Sequence, residues 1–201
     1  MKVAVIGTGS VGRALARGLD DAGHEVVVGS RTPESADTRA LVSDLEAASA
    51  ASDARAAESG DAVVLAVPGS VVADVAVDLS DALAGKPVLD PTNEGERPAA
   101  RALAERVQDA VPEARVVKAF NTIGADRMTR PVVGGDPASM PVCGDDEAAK
   151  RTAMDLAADL GFDPVDAGDL SSALMLEDLA RLWIHLAGEY GRDIGFRLLR
   201  E

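Results

Sequence analysis

Short apolar runs alternate with amphipathic stretches along most of this chain. Val3 to Ile6 reads as a strand, followed by a glycine-rich turn and a helix with Val11, Leu15 and Leu19 on one side. Asp20, Asp21 and Gly23 end that helix, and "HEVVVGS" (24–30) has the pattern of a second strand. Residues 33–46 read as helical, with Pro33 acceptable in a first turn. The Ala- and Ser-rich stretch 47–60 fits a short strand and a helix. The continuous apolar run "DAVVLAVP" (61–68) is that of a strand buried on both faces. A helix over 70–83, a strand over 86–90, the loop "PTNEGERP", a helix near 98–110 and a strand over 114–120 continue the alternation. Strand and helix in turn predict an α/β protein built on a parallel sheet.

The texture changes beyond residue 122. "RPVVGGDPASM" reads as a loop rich in Gly and Pro, "MPVCG" as a short strand, and "DDEAAKRTAMDLAADLG" as a helix with acids at its N-terminus. "FDPVDAG" fits a further strand. From Ser171 to Arg200 a long helical pattern closes the chain, with breaks available at Gly188 or Gly191. Leu174, Leu179, Leu182, Trp183 and Leu186 give it an apolar face, to pack on its own domain or on a second subunit. The division expected is 1–122 as a nucleotide-binding domain. Residues 123–201 would be a small α/β part that completes a cleft and supplies a dimer interface.

Gly7-Thr8-Gly9-Ser10-Val11-Gly12 is a Gly-x-Gly-x-x-Gly sequence. Alone it is weak, but here it follows a strand and opens a helix within a short β-α-β unit. Gly7 would allow the tight turn, Gly9 the approach of a pyrophosphate, and Gly12 the close packing of helix on strand. The fold class expected is therefore a Rossmann-type doubly wound parallel sheet, with a small C-terminal α/β part ending in a long helical segment. At the end of the second strand, where an acid would grip the ribose diol of NAD, stand Ser30 and Arg31. A hydroxyl donor and a planar guanidinium suit the 2′-phosphate of NADP, and Thr32 could add a further hydroxyl. Asn93 and Asn121 fall just past strand ends. Their amides could bind the nicotinamide carboxamide or ribose, although asparagine is equally a turn former.

Charge narrows the partners. The chain carries 34 acidic against 20 basic residues, a net charge of −14. A field of that sign repels phosphate backbones, so neither nucleic acid nor an anionic membrane surface is an expected partner. The acids are dispersed and lysine is confined to Lys2, Lys86, Lys118 and Lys150, a balance similar to that of halophilic proteins. No apolar stretch approaches the roughly 20 residues needed to span a bilayer. Met1 runs straight into a strand without a leader pattern, so a cytoplasmic location is expected. Cys143 stands alone, which excludes an internal disulfide and a cysteine metal cluster. With only His24 and His185 besides, no bound transition metal is expected.

From end to end the chain resembles the NADP oxidoreductases dependent on coenzyme F420, a deazaflavin, and the related reductase domains of membrane metalloreductases. The resemblance is carried, in order, by "GTGSVG", "VVGSR", "VVLAVP", "KAFNTIGA", "MPVCGDDEAAK", "DAGDL" and "IGFRLL". It implies hydride exchange between NADP(H) and coenzyme F420 or a flavin, the two rings stacked in the cleft. Thr8 to Val11 would then hold pyrophosphate, and Ser30 and Arg31 the 2′-phosphate. Val67 and Pro68 would line the adenosine or ribose path, and Ala125 would lie near the nicotinamide. One stretch departs from the pattern. The deazaflavin-linked enzymes have His before Thr-Ile-Pro, whereas this chain has Asn121-Thr122-Ile123-Gly124, a change that bears on the acceptor and not on NADP.

Such chemistry resides in the cofactors, so no catalytic acid or base is nominated. Two other readings stand beside it. One is an NADP-linked dehydrogenase or imine reductase acting on a small metabolite, and the other a non-catalytic NADP(H)-binding module that senses redox state.

Overall fold

The computed structural model describes residues 1–95 and 100–200. The N-terminal strands are β1 (Lys2–Ile6), β2 (Glu25–Gly29) and β3 (Ala48–Ala51). They are followed by β4 (Ala62–Leu65), β5 (Pro87–Asp90) and β6 (Arg115–Lys118). Their spatial order is β3-β2-β1-β4-β5-β6, all parallel, so the chain winds outward twice from a boundary between β1 and β4. Crevices at the carboxyl end of such a boundary are where ligands bind in open α/β sheets.

Successive strand residues point to opposite faces, and each face carries its own core. Val3, Val5, Val26 and Val28 join Leu15 and Leu19 of helix α1 (Ser10–Asp21) and Leu41 of α2 (Ala36–Ser43). Ala4, Ile6, Val63 and Leu65 face the other side. There they meet α3 (Asp53–Ser59), α4 (Val72–Asp78), α5 (Ser80–Leu83) and α6 (Leu103–Ala110). With so few aromatics, both cores are filled mostly by Ala, Val and Leu, with Phe120 and Phe162 edge to face in the first.

After β6 the chain forms β7 (Val132–Val133) and β8 (Asp136–Pro137), a two-residue-per-strand hairpin inside the stretch read as a loop. Then β9 (Ser139–Gly144) pairs antiparallel with β6, and β10 (Asp163–Asp166) pairs parallel with β9. The sheet thus has eight strands and runs on across the expected 122/123 division. Helix α7 (Glu147–Asp159) lies on the same face as α1, and Ala153 and Leu156 join its core. Burial pushes the Cys143 thiol in β9 up to about 12, so it is a core residue and not a nucleophile.

Three expectations are corrected. The helix over 70–83 is a 3₁₀ turn (Gly69–Val71) and two helices divided at Leu79. The helix near 98–110 begins at Leu103, and residues 96–99 lie outside those described. The closing helix does not reach Arg200. Helix α8 (Ala173–Tyr190) stops at Gly191, one of the two expected breaks, where a φ of 79° leaves helical geometry, and no helix resumes over 192–200. The following segment is held by other partners: Ile194 O accepts from Trp183 Nε1 at 3.0 Å, and Phe196 O from Ser139 N at 2.9 Å. Those tertiary bonds outweigh the helical spacing of "IGFRLL".

Candidate functional site

The turn from β1 into α1 is the best-defined part of the site. Gly7 has a φ of 113°, and a Cβ there would lie 2.3 Å from Ala66 O at the end of β4. A Cβ on Gly12 would lie 2.1 Å from Gly7 O. Both glycines are therefore required by packing. Gly9 differs: its Cβ would meet nothing within 4 Å, so the space above it is open. Gly9 is the N-cap of α1, no side chain caps the helix, and its first turn holds no acid. The leading N–H groups and the positive end of the helix dipole are thus free for an anion.

A cleft of about 340 Å³ opens there. Its walls are Gly9–Val11 after β1, Ala66–Gly69 after β4 and Pro91–Asn93 after β5, so Val67, Pro68 and Asn93 face the turn that Thr8 begins. On the other side of Ser10 lies a second hollow of about 460 Å³. It reaches Ala125 in a 3₁₀ turn (Ala125–Arg127), together with Arg13, Arg17 and Arg192. Arg192 grips Asp126 at 2.7 Å and lies 5.3 Å from the Trp183 ring, which ties the C-terminal tail to that turn. The same hydrogen bond holds the Asp126 carboxyl below the usual carboxylate range.

Ser30, Arg31 and Thr32 follow β2. Ser30 is buried, and its Oγ accepts from Thr32 N at 3.1 Å and lies 3.3 Å from Thr38 Oγ1. Arg31 is exposed, and among the described residues no carboxylate stands within ion-pair distance of it. Asp53, in the first turn of α3, approaches the same strand end: a Cβ on Gly29 would lie 3.1 Å from its Oδ1. Burial pushes the Asp53 carboxyl above its ordinary range, while Arg31 pulls the other way.

Asn93 and Asn121 meet as an amide pair. Asn121 Nδ2 donates to Asn93 Oδ1 at 3.0 Å, and Asn93 Nδ2 donates to Asn121 O at 2.9 Å. Beneath them is a buried charge cluster. Lys118, wholly buried, donates to Asp90 Oδ2 at 3.0 Å and to Glu177 Oε1 at 2.8 Å. Sequence reasoning missed these three residues. Their signal was an ionisable residue closing each of two apolar strands, "PVLD" and "RVVK", plus one acid in an apolar helix.

The histidines stand elsewhere. His24 Nε2 is 3.1 Å from Asp159 Oδ2, linking the end of α1 to α7, and His185 is exposed on α8. Among the described residues no cluster of three or more His, Cys, Asp or Glu side chains could hold a metal ion. Nor is any helix there long and apolar enough to cross a membrane.

The two kinds of glycine give a paired prediction. Gly12→Ala should cost about 3 kcal/mol, read in a thermal melt, because a backbone oxygen occupies the methyl's place. Gly9→Ala should melt within about 2 °C of the parent, yet lose roughly tenfold or more in dinucleotide affinity, since the methyl projects into the cleft. Equal melting losses for the two would contradict this division.

Comparison with known proteins places this architecture among reductases. Residues 2–94 match the sequence profile of the family described as NADP oxidoreductase, coenzyme F420-dependent. The chain is 30% identical over 217 residues to the F420-dependent NADP reductase of Methanothermobacter marburgensis, covering 92% of each protein. It is 34% identical over 179 residues to the rat metalloreductase STEAP3, covering 88% of this chain and 36% of that one. The chain therefore spans about a third of the metalloreductase's length. A crystal structure of a candidate F420-dependent NADP reductase from Arthrobacter sp. FB24 superposes with a TM-score of 0.90 at 34% identity, over 100% of both chains.

Proposed function

The chain belongs to the coenzyme F420-dependent NADP oxidoreductase family, and from that premise we propose that it moves a hydride between NADPH and coenzyme F420 or a flavin. The observation that carries this reading is the open, uncapped N-terminus of α1 at the sheet's switch point, with Arg31 at the end of the next strand, where no carboxylate among the described residues pairs with it. The donor set fits a phosphorylated dinucleotide. Backbone N–H groups from Ser10 and Val11, beside Thr8 and Gly9, hold the pyrophosphate. Ser30, Arg31 and Thr32 take the 2′-phosphate, in which the Arg31 fork can use two N–H groups at once. Val67 and Pro68 line the adenosine or ribose path. Asn93 and Ala125 would flank the nicotinamide, and Asn121, buried and lining neither hollow, would serve by holding Asn93.

When bound, the nicotinamide gives or takes a hydride at its C4. The chain's part is to align donor and acceptor and to keep water out. No side chain has to carry a proton for that transfer, and the ionisable groups nearest the cleft floor, Asp90 and Lys118, are fully buried and engaged with one another. The acceptor belongs on the Ala125 side of Ser10, in the hollow that Arg13, Arg17 and Arg192 line together with Asp126, each arginine there being paired with a carboxylate.

A second copy of the chain is the occupant we assign to α8. Met175 is 71% exposed and Leu182 47%, and at seven residues apart they share one face of α8, the apolar surface the second copy would cover. Ile184, also exposed, lies on the opposite side of the helix and outside that face, and Trp183 is buried within its own chain. Light scattering in high salt should give twice the chain mass, and a monomer at all concentrations would remove this assignment.

Stopped-flow absorbance tests the reaction. NADPH mixed with the protein and coenzyme F420, FMN or FAD in high salt should bleach the deazaflavin or a flavin rapidly, and much faster than NADH does. Reduction of a flavin alone would identify Asn121 as a mark of a changed acceptor. Turnover of cyclic imines instead, or NADPH binding with no acceptor reduced, would replace the proposal with an imine reductase or a binding module.

A further inference from the structure

The cluster under the cleft floor has a role of its own. Asp90 and Lys118 are register partners at the carboxyl ends of β5 and β6. The Lys118 ammonium has three N–H donors and three acceptors around it: Asp90 Oδ2 at 3.0 Å, Glu177 Oε1 at 2.8 Å and Thr92 O at 2.5 Å. Asp90 Oδ1 accepts from Thr92 N at 2.8 Å and from Thr92 Oγ1 at 2.5 Å. Glu177 Oε1 also accepts from Leu103 N at 2.8 Å, the first residue of α6. One buried cation thus joins β5, β6, α6 and α8 to the segment that leads from β5 into the cleft.

That segment is short. Thr92 is fastened to the cluster and the next residue, Asn93, to Asn121, whose Nδ2 also donates to Leu176 O at 3.0 Å, beside Glu177. Asn121 Oδ1 is buried and has no hydrogen-bond partner among the described residues, which leaves one acceptor of the amide pair unused there. Between Lys118 and Asn121 stands Phe120 with a φ of 62°, a left-handed conformation in a bulky non-glycine residue. Such strain persists where the surroundings over-determine it. Burying an ammonium and two carboxylates is likewise costly, and apolar residues of similar volume would commonly hold a fold as well. Strain and buried charge converge on the cleft wall formed by Pro91, Thr92 and Asn93.

We propose that Lys118 is a positioning residue for the nicotinamide half of the bound cofactor, acting through Thr92 and Asn93 without touching the ligand. The proposal rests on the cofactor reading above. Its wall stands across the cleft from the pyrophosphate turn, and β1 and β4 lie between β5, which leads into it, and β2, which leads into Ser30 and Arg31, so the 2′-phosphate end of the cofactor is anchored without it.

Calorimetric titration of the full chain with NADP⁺ and, separately, with 2′,5′-ADP, which lacks the nicotinamide half, tests this. Lys118→Met should weaken NADP⁺ about tenfold, or about 1.4 kcal/mol, and leave 2′,5′-ADP within about twofold. That substitution strands two buried carboxylates and could prevent folding. The double variant Lys118→Met/Glu177→Met leaves only Asp90, which keeps its two donors from Thr92, and should show the same split. A merely structural role would weaken both ligands together, or neither, and either result overturns the proposal. If the parent protein binds neither compound, the cofactor reading itself fails, and this proposal with it.

Discussion

The close approach of α1 to β1 is the constraint on which the site depends. With 2.1 Å between a would-be Gly12 Cβ and Gly7 O, the helix can sit on the sheet only because that position has no side chain. Gly7 is in turn pressed against Ala66 O, so the end of β4 is locked to the same turn. These two contacts bring the start of α1 to the boundary between β1 and β4, where the sheet changes winding direction. Everything attributed to the cleft follows from that placement: the free N–H groups of α1 on one side, and Val67 and Pro68 on the other. The neighbouring strand end, carrying Ser30 and Arg31, is fixed in register by pairing of β1 with β2.

The opposite wall is built on a different principle. Its residues come from loops, which pack weakly, and a polar interior gives them fixed positions. Asp90, Lys118 and Glu177 are at most 1% exposed, in a region where apolar packing would serve stability at least as well. Such a cluster specifies geometry, since its bonds are directional. In a chain of net charge −14 the surface arginines mostly pair with acids, as Arg192 does with Asp126 and Arg17 with Asp44. Arg31 stands out against that background because its carboxylate neighbour, Asp53, is near enough to feel its charge yet not paired with it.

The first half of the molecule was largely legible because its signals are local. Apolar runs bounded by Gly, Pro or Asp gave β1, β2, β4, β5 and β6 within a few residues, and the glycine spacing identified the turn. What the sequence concealed depends on distant contacts. The meeting of Asn93 with Asn121, 28 residues apart, follows from the register of β5 on β6 and from the backbone reversal at Phe120. The tail after Gly191 keeps a helical spacing but is captured by Ser139 and Trp183. Gly134 and Gly135, both at positive φ, make a hairpin turn that loop-like composition hid. Lys118 was visible as a residue and not as a site, since nothing local shows that Glu177 lies against it.

The central claim is that this cleft is shaped for a dinucleotide carrying a 2′-phosphate, with Arg31 as the group that reads it. Measuring the affinities of NADPH and NADH for the parent protein and for Arg31→Glu tests that most directly. The account predicts a preference for NADPH in the parent, and in the variant a loss of about a hundredfold for NADPH with at most a few-fold change for NADH, the scale of exchanging a charge-assisted bidentate contact for a repulsive one. Equal losses for the two, or a parent protein that prefers NADH, would contradict it.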